Sequence, residues 1–315
     1  MRVGNMSKEK TTHIDINCDL GEWDALDPHP EQQLRDREIM PLVSSVNIAC
    51  GGHRGDGHSI RTTMEHAASL DLAIGLHPSF PDREGFGRVE KPWSDLVAES
   101  LYNQLDFGRS LAREVGVELH HIKPHGALYN MASKYESWAE KLWTLFRSWD
   151  DDMLVYGLSE SEMAKGLGLD IMSVDEGHSS KRASSGSESE AGAGSDEGTK
   201  VKFGSSSEET NAFWAFDVKL GSGFCAEAFA DRAYNPNLTL RSRSKDGAVH
   251  SDPSLVLAQV QEMVLHGQVR CVDGISRSLK VQSICLHSDT PGAVEMAELI
   301  ARSLKELEIE VRPCS

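Results

Sequence analysis

A chain of 315 residues, 39% hydrophobic, is long enough to form one large α/β barrel or two medium domains. Its 32 basic and 49 acidic side chains leave a net charge of −17, which argues against non-specific nucleic-acid binding. There is no apolar stretch near the roughly 20 residues a membrane helix needs, and the opening MRVGNMSKEKTT lacks the apolar core of a signal peptide. A cytoplasmic protein is expected. The cysteines (Cys18, Cys50, Cys225, Cys271, Cys285 and Cys314) are scattered without a CxxC pair, so reduced thiols are expected.

HIDIN (His13 to Asn17) is β-rich and alternating, and reads as the first strand. A helix is predicted over about 31–43, a second strand at Ser45 to Ala49, a helix at Ser59 to Leu70 and a third strand at Leu72 to Leu76. A long helix from Trp93 to Val115 begins after Pro92 and stops at Gly116, the expected punctuation. Strand four is Val117 to Ile122, and strand five, Met153 to Gly157, follows a helix at Tyr135 to Trp149. The alternation then breaks. Glu176 to Thr210 carries 10 Ser and 6 Gly with almost no apolar content, too little buried surface to offset the entropy of ordering, so a disordered insertion is expected. Strand six is Phe224 to Phe229 and strand seven is Val281 to His287. They are separated by a helix at Pro253 to His266 and followed by one at Gly292 to Leu307. No linker divides these elements, so one domain spanning 1–315 is expected.

Each apolar run ends in a polar cluster. In a parallel barrel all strand C-termini open onto one face, so loops distant in sequence converge on one pocket. NCDLGE places Asn17 on strand one and Asp19 and Glu22 just beyond it, as metal ligands, acid–base groups or merely turn residues. NIACGGHRGD adds Asn47 and the titratable pair His53 and Asp56, and its Gly51–Gly52 bend before a helix has the makings of an anion site. His77 follows strand three. Lys123 and His125 flank Pro124 after strand four, where a lysine can hold a carboxylate or oxyanion. Four histidines (His53, His77, His125 and His287), each just past a different strand, suit proton transfer or metal binding. FADRAY offers Asp231 and Arg232, the latter either a clamp for a substrate carboxylate or half of a structural ion pair. HSDTPGA offers Asp289 as a ligand contact or a helix cap. The candidate catalytic set is Asp19, His53, His77 and His125, which are also the candidate metal ligands. The candidate substrate contacts are Asn17, Glu22, Asn47, Lys123, Arg232 and Asp289. There is no GxxxxGK[ST] phosphate loop, no convincing dinucleotide fingerprint and no GxSxG elbow.

Together these motifs resemble the LamB/YcsF family, whose members are the A subunits of 5-oxoprolinase. NCDLGE, VNIACGGHRGD, HPSFPD, GFGR, HIKPHGALYN, FADRAY and DTPGA occur in the family's order from Ile14 to Leu307, leaving out roughly Asp170 to Ser222. The chain has GGHRGD where the family usually reads GFHAGD, and HSDTPG for HGDTPG. Neither departure removes a titratable residue. The insertion is absent from typical bacterial members. The resemblance implies a single irregular seven-stranded α/β barrel of the glycoside hydrolase/deacetylase type. It also implies ATP-dependent hydrolysis of the 5-oxoproline lactam to glutamate, with ATP held largely by kinase-type partner subunits; a divalent metal at the candidate ligands is a further cofactor the residues themselves allow. Two other readings stay open. One is a metal-dependent carbohydrate deacetylase using Asp19, His53, His77 and His125. The other is a non-catalytic scaffold whose insertion binds a partner.

Overall fold

The computed structural model describes residues 12–26, 31–165 and 223–315. The first strand, β1 (His13–Leu20), is buried at every position after its first. Strands buried on both faces belong to parallel sheets covered by helices. β1 pairs in parallel with β2 (Ser45–Ala49), and parallel pairing continues through β3 (Ala73–His77), β4 (His121–Ile122), β5 (Leu154–Leu158) and β6 (Phe224–Phe229). A short antiparallel hairpin, β7 (Gln268–Arg270) and β8 (Ser276–Ser278), precedes β9 (Ser283–Cys285). β9 pairs in parallel with both β6 and β1. That double pairing closes a seven-stranded barrel and removes its open edges. Outside the ring, β10 (Glu310–Val311) pairs with the first residues of β1.

Helices wrap the barrel in the order α1 (Glu31–Ile39), α2 (Gly57–Ser69), α3 (Asp95–Val115), α4 (Gly126–Lys134), α5 (Glu136–Trp149), α6 (Glu162–Lys165), α7 (Pro253–His266) and α8 (Ala293–Glu306). Their ends follow local chemistry. Asp56 and Ser59 form a reciprocal capping box on α2, and Ser94 caps α3. Gly116 ends α3 in the left-handed conformation at φ 82°, as its position in the sequence predicts. Asp252 caps α7, with Pro253 in its first turn.

Strands two and six fall where the sequence places them, and the others shift by a few residues at their ends. α4, which follows KPH directly, and the β7–β8 hairpin are additions to the predicted elements. The predicted disordered segment, Glu176 to Thr210, lies outside the described residues. The expectation of reduced thiols needs correction: Cys225 on β6 is joined to Cys314, 89 residues away, while Cys18, Cys50, Cys271 and Cys285 are free and buried. Sequence spacing carried no sign of this pair, because only barrel closure brings the C-terminal tail to β6. Among the described residues no helix is long and apolar enough to cross a membrane.

Candidate active site

Parallel pairing puts every strand's C-terminus at one end of the barrel, and the polar clusters meet there. A cavity of about 500 Å³ opens at this end, lined by Asp19, Glu22, His77, Lys123, His125 and His287 among others. Beneath it the barrel interior is polar, because residues two apart on a strand share a face. Asn17 donates to Glu227 and Ser283 at 2.8 and 2.7 Å, and Asn47 donates to Asn17 and Asp19 at 2.7 and 2.8 Å. His121 packs across β3, where a Cβ on Gly75 would meet its ring at 2.2 Å. Gly75 therefore makes room for the imidazole, which donates to Asn47.

Lys123 is 1% exposed and reaches Asn17, Asp19 and Glu227 at 3.0, 2.9 and 2.8 Å, with the Cys285 sulfur at 3.1 Å. Burial alone would lower the lysine, but Asp19, Cys285 and Glu227 outweigh it and hold it well above its ordinary value, as an ammonium. Tyr129 donates to the other Glu227 oxygen at 2.8 Å. Burial likewise acts to raise Asp19, yet His77 and Lys123 hold its carboxyl well below the usual carboxylate range. Asp19 is thus an ionised carboxylate. One oxygen is fixed by Asn47 and Lys123, and the other stands 3.3 Å from His77 Nε2.

The histidines form a second group beside Asp19. His77 Nδ1 meets the Lys123 carbonyl at 2.7 Å, and His125 Nε2 meets the Phe86 carbonyl at 3.0 Å. A carbonyl only accepts, so each of those nitrogens carries the ring's proton. The remaining nitrogens, His77 Nε2 and His125 Nδ1, face one another at 3.0 Å, and His77 Nε2 also faces the Asp19 carboxylate at 3.3 Å. Glu22 Oε1 lies 3.4 Å from His125 Nδ1 and 2.9 Å from His53 Nε2. His53 stacks on His125 with ring centroids 3.7 Å apart, and its buried Nδ1 has no hydrogen-bond partner among the described residues. Burial holds both His53 and His125 well below the ordinary histidine value, hence neutral. Gly87 approaches so closely that a Cβ there would meet His125 and His53 at 3.0 and 3.1 Å.

Glu22, His53, His77 and His125 each offer a ligand atom, all within 4.8 Å of one another. A carboxylate and three imidazoles, two of them anchored by backbone carbonyls, are the donor chemistry of a divalent metal site. The residues therefore fit a divalent metal. A second group, Asp19, Cys285 and His287, is equally close, but the Lys123 ammonium already contacts its carboxylate and its sulfur.

Across the cavity, both oxygens of Asp231 accept from His287 Nδ1 at 2.9 and 3.0 Å, and Thr290 donates to Asp231 at 2.5 Å. Burial would raise Asp231, but His287 and the hydrogen bonds from His287 and Thr290 lower it. The pairing fixes the tautomer and aim of His287, whose ring also stacks on Phe229. The sequence places His287 among the strand-end histidines suited to proton transfer or metal binding, but outside the candidate catalytic set. It did not single out Glu227, His121 or Tyr129. An acid mid-strand in FCAEAF, facing inward, was the available signal for Glu227.

Other candidates divide. Arg232 lines the cavity; its guanidinium donates to the Ala248 and Arg241 carbonyls and does not pair with Asp231. Asp289 sits at the mouth, 3.0 Å from Arg88, and does not cap α8, whose N-cap is Gly292. Asn17 and Asn47 lie below the cavity floor, committed to the interior network. Asp56 is a helix cap, not the titratable partner of His53 expected from GGHRGD. The Gly51–Gly52 bend is likewise a tight turn and not an anion cradle: the Gly51 N–H donates to Arg54, and Asp56 occupies the start of α2.

Comparison with known proteins agrees with this architecture. The chain is 34% identical over 301 residues to the 5-oxoprolinase A subunit of Chloroflexus aggregans (strain MD-66 / DSM 9485), covering 95% of this chain and 98% of the other. It is 33% identical over 302 residues to the 5-oxoprolinase A subunit of Bacillus cereus (strain Q1), with the same coverage of 95% and 98%. The crystal structure of the lactam utilization protein from Thermus thermophilus superimposes with a TM-score of 0.71 at 27% identity, covering 95% of this chain and 99% of that one. The model of the LamB/YcsF family matches residues 14–179 and 202–315, so it reaches further towards the insertion than the sequence motifs alone. With its motifs, its closed barrel and these matches in agreement, the chain belongs to the LamB/YcsF family.

Proposed function

We propose that this chain is the ring-opening component of an ATP-dependent 5-oxoprolinase, converting 5-oxoproline to L-glutamate. The observation that carries this reading is the placement of two oppositely equipped groups across one cavity. Asp19 is a fixed carboxylate, and His287 is an imidazole aimed by Asp231, with atoms of the two within 4.8 Å. The relatives are named as subunits, which supports partner proteins. The sequence has no phosphate loop, so ATP use belongs with a kinase-type partner.

A lactam resists water. Phosphorylating its oxygen on the partner makes the ring carbon electrophilic. Asp19 takes a proton from water as the water oxygen bonds to that carbon. The C–N bond then breaks as the new hydroxyl becomes the acyl carbonyl, and His287 Nε2 relays the hydroxyl proton to the departing nitrogen while its Nδ1–H stays on Asp231. The acyl phosphate so formed is hydrolysed by a second water to glutamate and inorganic phosphate. Lys123 and Asn47 keep Asp19 ionised and oriented, and the cationic wall at Arg232 receives the substrate carboxylate. A divalent metal held by Glu22, His53, His77 and His125 would add Lewis-acid polarisation of the reacting oxygen.

The test is glutamate release from 5-oxoproline by the full chain reconstituted with kinase-type partner subunits, with and without ATP. Asp19→Asn, Asp19→Ala, His125→Ala and His287→Asn are each expected to lower turnover by about 100- to 10,000-fold. Near-wild-type turnover in these variants would place the chemistry elsewhere. The histidine cluster also suits a second reading, metal-dependent deacetylation of carbohydrates. Acetate release from acetylated oligosaccharides without partner subunits would favour it.

A further inference from the structure

One wall of the cavity runs against the charge of the rest of the molecule. The chain carries 49 acidic side chains against 32 basic ones, yet the segment from Arg232 to Lys245 lines the cavity with Arg232, Arg241, Arg243 and Lys245. Among the described residues, Arg232, Arg241 and Lys245 have no carboxylate within ion-pairing distance. Arg243 has only Asp289, at 4.0 Å, and shares it with Arg88 at 3.0 Å.

Arg232 is the sharpest case. It is 6% exposed, its neighbour Asp231 is committed to His287 and Thr290, and two backbone carbonyls are its only hydrogen-bond partners among the described residues. A buried guanidinium with no carboxylate in direct contact is unfavourable unless a ligand supplies one. Here burial and the nearby Arg243 bring it down to about 10, still a cation at neutral pH. The hydroxyls of Ser242 and Ser244 stand in the same wall, 2.9 Å from each other.

5-Oxoproline carries a single carboxylate, which Arg232 alone can balance. The remaining cations exceed that need and suit a dianion. We propose that Arg243, with Arg241, Lys245 and the flanking serine hydroxyls, forms a phosphoryl-binding subsite beside the carboxylate position of Arg232, so that the cavity takes a ligand bearing both groups. This deepens the preceding reading and rests on it for the identity of the ring. Clefts lined with one sign of charge concentrate such ligands from solution, and guanidinium groups bind phosphate through paired hydrogen bonds.

The probe is inorganic phosphate, titrated calorimetrically into the full chain at pH 8 and constant ionic strength. Saturable one-to-one binding is expected, weakened about tenfold or more in Arg243→Gln. Because Arg243 is exposed on a loop, this variant keeps its fold. Arg232→Gln should weaken binding too, but it also frees two carbonyls, so Arg243→Gln decides. Absence of saturable binding by the wild type, or unchanged affinity in Arg243→Gln, would overturn the subsite. Glutamate release in the reconstituted assay separates the two claims. Lactam opening without phosphate binding removes the subsite alone. Phosphate binding lost in Arg243→Gln, without lactam opening, removes the lactam reading and leaves the subsite standing.

Discussion

His77 Nε2 and His125 Nδ1 face one another at 3.0 Å, while the opposite nitrogen of each ring is bound to a backbone carbonyl. Rings anchored in this way, with Glu22 and His53 beside them, suit a shared divalent cation. Purified protein is expected to hold a stoichiometric divalent metal after dialysis against metal-free buffer. Glu22→Gln and His125→Ala should each lower metal affinity at least tenfold. Metal analysis, with the absorption of the Co²⁺-substituted protein as a second readout, checks this. A wild type that retains no added Zn²⁺ or Co²⁺ would refute the assignment.

In the proposed reaction Asp231 acts through His287, whose Nδ1–H it holds. Asp231→Asn should therefore lower kcat by about 100-fold or more with little change in KM, since the imidazole loses its fixed tautomer. Equal losses in kcat/KM for every residue of the loop would point to general loop damage.

Lys123 holds two buried carboxylates, Asp19 and Glu227. Lys123→Met leaves both without their cation and should cost about 3–5 kcal/mol of stability. Lys123→Ala should also weaken substrate binding, by freeing Asp19 to move. Urea unfolding of the single variant and of Lys123→Met/Glu227→Gln provides the check. The double variant should recover part of the loss, and a single-variant loss below about 1 kcal/mol would mean that water reaches the network.

Asp36 is buried, accepting from the Gly21 N–H at 2.9 Å and from Gln32 at 3.0 Å. Burial pushes its carboxyl up to about 7. The folded state then binds more protons than the unfolded state between the usual carboxylate value near 3.8 and about 7. Stability falls as pH rises through that window and levels off above it. Relative to Asp36→Asn, the wild type should lose stability from pH 4 to pH 7 and run parallel above pH 8. Parallel curves from pH 4 to pH 7 would show that Asp36 keeps an ordinary carboxylate value.

The alternation of strands and helices was legible in the residue order alone, because apolar period and end signals are local: Gly116, Pro253 and the run SVNIA mark their elements without tertiary help. So was the meeting of His53, His77, His125, Asp19 and Lys123, since strand ends of one parallel barrel share a face. What each residue does there emerges only from the folded ring. Asp56 and His53 look alike on the page, yet one caps α2 and the other is sealed behind His125. Lys123 reads as a strand-end cation able to hold a ligand's carboxylate, but barrel closure buries it between carboxylates from β1 and β6. The Asp231–His287 pairing and the Cys225–Cys314 bond join positions 56 and 89 residues apart. Local pattern encodes which face a side chain takes along its own strand. Its partner depends on which distant strands the closing barrel sets beside it, and that is a property of the whole ring.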